Sequence, residues 1–158
     1  TAVPMPDYVC EAQNGTFETF DMLGSEGGFR MAGKVTIDSA DDVETEWMPF
    51  AGAMFWMEDH KGALGLMLMN SPGEDPAIGV RTMEAGAPKV YYLAALDTDK
   101  PLDFEMQLDQ SGILEITVNG NAFKISEFPA TPTEPVILCS GGKYTFQDVT
   151  TTRWQADD

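Results

Sequence analysis

Apolar and polar residues alternate along most of this chain. Leu102, Phe104, Met106 and Leu108 are separated by Asp103, Glu105 and Gln107, a period of two with one wet face. Gln110-Ser111-Gly112 predicts a turn and Ile113 to Val118 a further strand. Asn119-Gly120 predicts a tight hairpin, because both residues accept positive φ. Phe123 and Ile125 continue the pattern. A Pro-rich connection then leads to Val136-Ile137-Leu138-Cys139 and to a closing strand from Gly142 to Val149.

The upstream half reads the same way. Residues 1–8 are Pro-rich and expected as an extended N-terminal arm. Thr16 to Met22 alternates around Phe17 and Phe20. Phe29 to Met31 and Lys34 to Ile37 read as two short strands. Val43, Thr45 and Trp47 face away from Glu44 and Glu46. Ala51 to Met57 is strongly apolar, and Ala63 to Met69 is apolar on both faces, as expected of a central strand. Ala77 to Met83 and Lys89 to Leu96 add two more. These are ten to twelve short strands, each bounded by Gly, Pro, Asn or Asp, with no sustained helical period, repeat or linker. The pattern predicts an all-β sandwich forming a single domain over residues 1–158.

Composition adds constraints. At 158 residues and 43% hydrophobic content the chain is large enough to bury a core without staples. Nine basic against 26 acidic residues give a net charge of −17. Such a surface repels phosphate backbones, anionic lipids and anionic polysaccharides, so nucleic acid is excluded as an expected partner. No apolar run is long enough to span a bilayer, so no membrane insertion is expected. The acidic residues serve either as a solvated coat or, in part, as oxygen ligands for Ca2+.

The two cysteines, Cys10 and Cys139, and the single His60 cannot assemble a zinc site. Two readings of the cysteines stand. One is a disulfide tying the N-terminal strand to the penultimate strand, which implies an oxidising compartment; the other is a pair of buried thiols. The start at Thr1 reads as a processed chain whose signal peptide is gone, hence a secreted, extracellular or periplasmic protein. Asn14-Gly15-Thr16 is a glycosylation sequon, relevant in a eukaryotic source.

The order of segments resembles the concanavalin A-like lectin/glucanase superfamily. The residues that carry the resemblance are Val43-Glu44-Thr45-Glu46-Trp47, Ala51 to Asp59, Ala63 to Leu68 and Leu102 to Leu108. Gly112 to Gly120, with its Val118-Asn119-Gly120 hairpin, and Gly142 to Val149, with Phe146-Gln147-Asp148-Val149, complete them. The resemblance is closest to laminin-G-like and family-16-hydrolase-like members, including domains associated with 3-keto-glycoside hydrolysis. It implies a two-sheet antiparallel jelly roll with one concave sheet that often meets carbohydrate. The family-16 signature is Glu-x-Asp-x-x-Glu or Glu-x-Asp-x-Glu. The nearest segment here, Glu44-Thr45-Glu46-Trp47, lacks the third carboxylate.

Candidate chemistry follows. Glu44 and Glu46 share a strand face and could flank a glycosidic bond, or form a solvent-facing stripe. Trp47, Trp56, Tyr91 and Tyr92 are candidates for stacking on sugar rings, with core packing as the alternative. Adjacent Tyr91 and Tyr92 should point to opposite faces, so one is expected outside. Trp154 is expected beyond the last strand. The resemblance implies a structural Ca2+ held by Asp148 with groups near the N-terminus, of which Glu11, Glu18 and Asp21 are candidates. The expected function is non-catalytic binding of a neutral glycan. The alternatives are a small glycan hydrolase using the paired carboxylates, and a homo-oligomeric structural subunit assembling through edge strands.

Overall fold

The computed structural model describes residues 3–4, 7–12, 16–19, 28–40, 50–57, 63–69, 76–84, 87–95, 101–109, 111–125 and 132–154. These form thirteen strands and, among the described residues, no helix. They are β1 (Val3–Pro4), β2 (Tyr8–Ala12), β3 (Thr16–Thr19), β4 (Gly28–Ala40), β5 (Phe50–Met57), β6 (Ala63–Met69) and β7 (Ala77–Glu84). They continue as β8 (Ala87–Ala95), β9 (Leu102–Leu108), β10 (Leu114–Val118), β11 (Asn121–Ile125), β12 (Pro132–Ser140) and β13 (Gly142–Trp154).

Two antiparallel sheets result. The seven-stranded sheet runs β1-β13-β4-β9-β10-β11, with β2 also on β13; the six-stranded sheet runs β3-β12-β5-β6-β7-β8. The predicted alternation is realised: Leu102, Phe104, Met106 and Leu108 are buried, and so are Leu114, Ile116 and Val118 on the adjacent β10. They meet Ala53, Phe55, Leu64, Leu66, Ile78 and Val80 of the other sheet in one core. Phe29 and Phe55 pack across it with ring centroids 5.9 Å apart. Gly65 takes a positive φ of 146° where Met106 Sδ would lie 3.3 Å from a Cβ, and the Leu66 amide donates to that sulfur at 3.3 Å across the sandwich. The β9–β10 turn is held by Asp109, whose Oδ1 accepts from the Ser111 and Ile113 amides and the Ser111 hydroxyl. These bonds to the ionised form hold its carboxyl below the usual range.

Cys10 on β2 and Cys139 on β12 form a disulfide with Cα atoms 6.1 Å apart. It joins one sheet to the other through the core, where both cysteines are fully buried. The chain crosses between sheets twice in this region, from β2 to β3 and from β12 to β13, and the disulfide ties the two crossings together.

Several sequence expectations are corrected. Within the expected extended N-terminal arm, Val3 and Pro4 form β1 and pair with Thr151 and Thr150. Phe29 to Met31 and Lys34 to Ile37 are one strand, not two. Gly33 does not break β4, because it sits opposite a bulge in β13 that spans Asp148 and Val149. A Cβ on Gly33 would lie 2.7 Å from Val149 Cγ2 and 3.0 Å from Val149 Cα. The glycine makes room for the bulge rather than for a turn. The closing strand does not end at Val149 either. Asp148 takes a positive φ of 53°, the extra residue is absorbed, and β13 continues to Trp154, which pairs with Gly28. Tyr91 and Tyr92 are both exposed, at 38% and 65%, on β8, the last strand of its sheet among the described residues.

Candidate functional site

Strand alternation gives the six-stranded sheet two different faces. Its inner face belongs to the core. Its outer face carries a second buried cluster of Phe50, Met54, Ala63, Met67 and Val136, with Trp56, Met69 and Leu138 partly buried against it. This makes β6 apolar on both sides, as its sequence predicts. The methionines that fill this cluster are unbranched and adapt to an irregular surface.

The same face opens toward β7 and β8. Register places Met54, Gly65, Arg81 and Val90 in one row across β5 to β8, and Met67, Gly79 and Tyr92 in the next. Met69 Cε and Val90 Cγ1 close over Gly79, at 2.9 and 3.2 Å from where its Cβ would stand. They join the methionine cluster to the exposed edge. From strand spacing, the Cα atoms of Arg81 and Tyr92 are roughly 8 Å apart.

Arg81 is the polar group of this region. It is half-buried, and its Nη1 donates to the Ala63 carbonyl at 2.6 Å. Burial lowers its pKa from the ordinary guanidinium value. Among the described residues no carboxylate pairs with it. The guanidinium is only half-buried, so its remaining donors are accessible to oxygen acceptors. Arg81 was not among the residues singled out from sequence. Its signal was there: one cation amid the apolar run Ala77-Ile78-Gly79-Val80, with only nine basic residues in the chain.

A second concavity lies on the outer face of the seven-stranded sheet. It has a volume of about 310 Å3 and is lined by Lys34, Asp103, Glu105, Thr117, Asn119 and Asp148, with backbone of β4 and β9 beneath. Asn119, at φ 48°, takes the Asp103 amide on its Oδ1 and donates its own amide to the Asp103 carbonyl. Glu105 is fixed at its rim: Oε2 accepts from Arg30 at 3.0 Å and Oε1 from Gln107 at 2.6 Å. The Arg30 bond holds the Glu105 carboxyl below its usual range. A general acid for glycoside cleavage needs the opposite shift.

The proposed site residues are dispersed. Glu44, Glu46, Trp47, Asp21, His60 and Asn14 lie outside the described residues. Trp56 and Tyr92 share the outer face of the six-stranded sheet, but on β5 and β8. Tyr91 points to the other side, where the Lys89 ammonium sits 4.7 Å from its ring centroid. Asp148 lies on the seven-stranded sheet, its amide donating to Asp7 Oδ1 at 3.3 Å. Glu18 lies on the six-stranded sheet, its backbone paired with Ile137, and Glu11 is exposed on β2. Among the described residues no three acidic, His or Cys side chains converge on a metal-sized site.

No family model matches the chain, and no curated protein matches it in sequence. Solved structures do share its fold. The carbohydrate-binding module CBM66 from Bacillus subtilis aligns over 95% of this chain and 94% of its own, with TM-score 0.65 and 14% identity. An alginate lyase from Pseudomonas aeruginosa aligns over 82% of this chain and 66% of its own, with TM-score 0.61 and 12% identity. An alginate lyase from Alteromonas aligns over 94% and 78%, with TM-score 0.56 and 11% identity. The shared fold is the two-sheet antiparallel jelly roll of concanavalin A-like type expected from the sequence.

Proposed function

We propose that this jelly roll is a glycan-recognition module that binds a neutral saccharide without cleaving it, on the outer face of its six-stranded sheet. The observation that carries the reading is Arg81, a half-buried guanidinium on an apolar face beside the exposed ring of Tyr92. A sugar presents a flat C–H face and a rim of hydroxyl oxygens. Tyr92 supplies a surface for the first, and Arg81 supplies donors for the second. Stacking and donation hold a sugar, but they neither protonate a leaving group nor provide a nucleophile.

The likeness to a carbohydrate-binding module over nearly the whole of both chains supports binding. The net charge of −17 favours a neutral ligand, since a polyanion would be repelled on approach. The Cys10–Cys139 disulfide supports function in an oxidising, extracytoplasmic compartment.

Titration calorimetry against neutral and uronate oligosaccharides tests this. Tyr92→Ala should weaken binding of a neutral oligosaccharide by about 5- to 100-fold, the range of one lost stacking contact. Arg81→Lys should also weaken it, because Lys keeps the charge but loses the planar fork. Binding that both variants leave unchanged would overturn the site. A preference for uronates would overturn the neutral ligand, and sugar product after long incubation would overturn the non-catalytic reading.

A further inference from the structure

We propose that the concavity on the outer face of the seven-stranded sheet is a second ligand site, which takes an amino sugar: a hydroxylated ring bearing a protonated primary amine. At about 310 Å3 it stands at the lower end of small-molecule sites, which run from roughly 300 to 1,000 Å3. Its floor is Ala32 and the backbone of Gly33, so no large side chain fills it. Register sets Ala32, Glu105 and Thr117 in one row across β4, β9 and β10, and Lys34 and Asp103 in the next. Asp148 closes one end, where a bulge in β13 re-aims it, and Asn119 closes the other. These two are the non-glycine residues with positive φ among the described residues, and both stand in this lining.

The groups left free select the ligand. Glu105 is committed to Arg30 and Gln107. The Asp103 and Asp148 carboxylates and the Lys34 ammonium make no hydrogen bond or ion pair among the described residues. Two carboxylates against one ammonium leave one negative charge in excess. Asp7, whose Oδ1 accepts from the Asp148 amide, adds a further carboxylate beside them. The complement is therefore a cation. It is larger than a metal ion: Asp148 and Asp103 stand two strands apart, with Cα atoms roughly 10 Å from each other. No three ligating side chains converge there among the described residues.

An ammonium meets the excess carboxylate through charge-assisted hydrogen bonds. The rest of the lining calls for hydroxyls. Lys34 and the Asn119 carboxamide donate, the Thr117 hydroxyl donates and accepts, and the remaining carboxylate oxygens accept. The hydroxyls of a sugar ring match both kinds of group, whereas a plain aliphatic amine leaves them to water. The net charge of −17 draws any cation toward the chain, and the concavity supplies the groups that tell an amino sugar from other amines. The site lies on the opposite face of the sandwich from Arg81 and Tyr92, so it does not rest on the function proposed above.

Titration calorimetry on the intact chain, at about pH 6 where the carboxylates are ionised, tests the proposal with the glucosamine trisaccharide and its N-acetylated counterpart. Acetylation keeps the ring and removes the charge. The amine form should bind at least about fivefold more tightly, and Tyr92→Ala should leave that binding unchanged. Asp103→Asn should weaken it by about 5- to 10-fold, between an exposed ion pair and a charge-assisted hydrogen bond. Lys34→Gln keeps a donor and removes the competing positive charge, so it should tighten binding by about 2- to 5-fold, a gain that misfolding does not produce. All three side chains are exposed, so the variants should melt with the parent. Equal binding of the two trisaccharides overturns the proposal. So does binding that Asp103→Asn leaves intact or that Tyr92→Ala removes. Propylamine bound as tightly as the amino sugar also overturns it, because the acidic coat alone would then account for the attraction.

Discussion

Gly33→Ala should destabilise the protein by roughly 1–2 kcal/mol, although alanine ordinarily strengthens a strand position. The backbone gives no objection, since Gly33 is not among the glycines with positive φ. The objection is space. A Cβ there would sit 2.7 Å from Val149 Cγ2, 3.0 Å from Val149 Cα and 3.2 Å from the Gln147 carbonyl oxygen. Two of these three atoms are backbone and cannot rotate away. Overpacking of this kind costs about 1–3 kcal/mol. The loss of glycine freedom in the unfolded chain returns about 0.4–1 kcal/mol. For a chain of this length the net effect lowers the melting temperature by roughly 3–7 °C. A double-mutant cycle sharpens the test. Val149→Ala alone should cost about 1–2 kcal/mol by emptying part of the core. Combined with Gly33→Ala it should cost less than the sum by about 1 kcal/mol, because it removes the nearest clashing atom. Urea denaturation of the four proteins measures this. A neutral Gly33→Ala, or strict additivity, would refute the claim that the glycine exists to admit the bulge.

Other outcomes follow from the same geometry. Reducing the Cys10–Cys139 disulfide, which spans 129 residues, should remove about 5 kcal/mol on chain-entropy grounds; equal urea midpoints with and without reductant would contradict this. Asn119→Ala should cost about 1–2 kcal/mol, because it removes the acceptor for the Asp103 amide and leaves an alanine at φ 48°, whereas Asn119→Gly should be milder. Glu105 has a depressed folded pKa, so its contribution is present above the unfolded glutamate value and is lost as pH falls through the lowered value. Its side chain is 35% exposed, so the effect is a fraction of a kcal/mol, about 0.5. Glu105→Gln should therefore lose slightly more stability near neutrality than near pH 3; an equal loss at both would place the interaction elsewhere.

The sequence by itself determined the sandwich. Period-two alternation on β9 and β10 names the buried residues one by one, because a strand has two faces and only one can be wet. The two-sided apolar run of β6 announces a central strand for the same reason. The two cysteines admitted a disulfide or free thiols, and the fold decided for the disulfide by bringing β2 and β12 together. Gly33 and Asp148 show where local reading stops. A glycine between two apolar runs reads as a break, and only the strand laid beside it reveals that it accommodates a bulge. Arg81 and Tyr92 lie eleven positions apart in sequence, yet register sets them on neighbouring strands of one face. Tyr91 and Tyr92 are both exposed on β8, the last strand of its sheet among the described residues. Side-chain periodicity is a property of the single strand and is written in the sequence. Register and sheet order are properties of pairs of strands, so the candidate site was left to the tertiary structure.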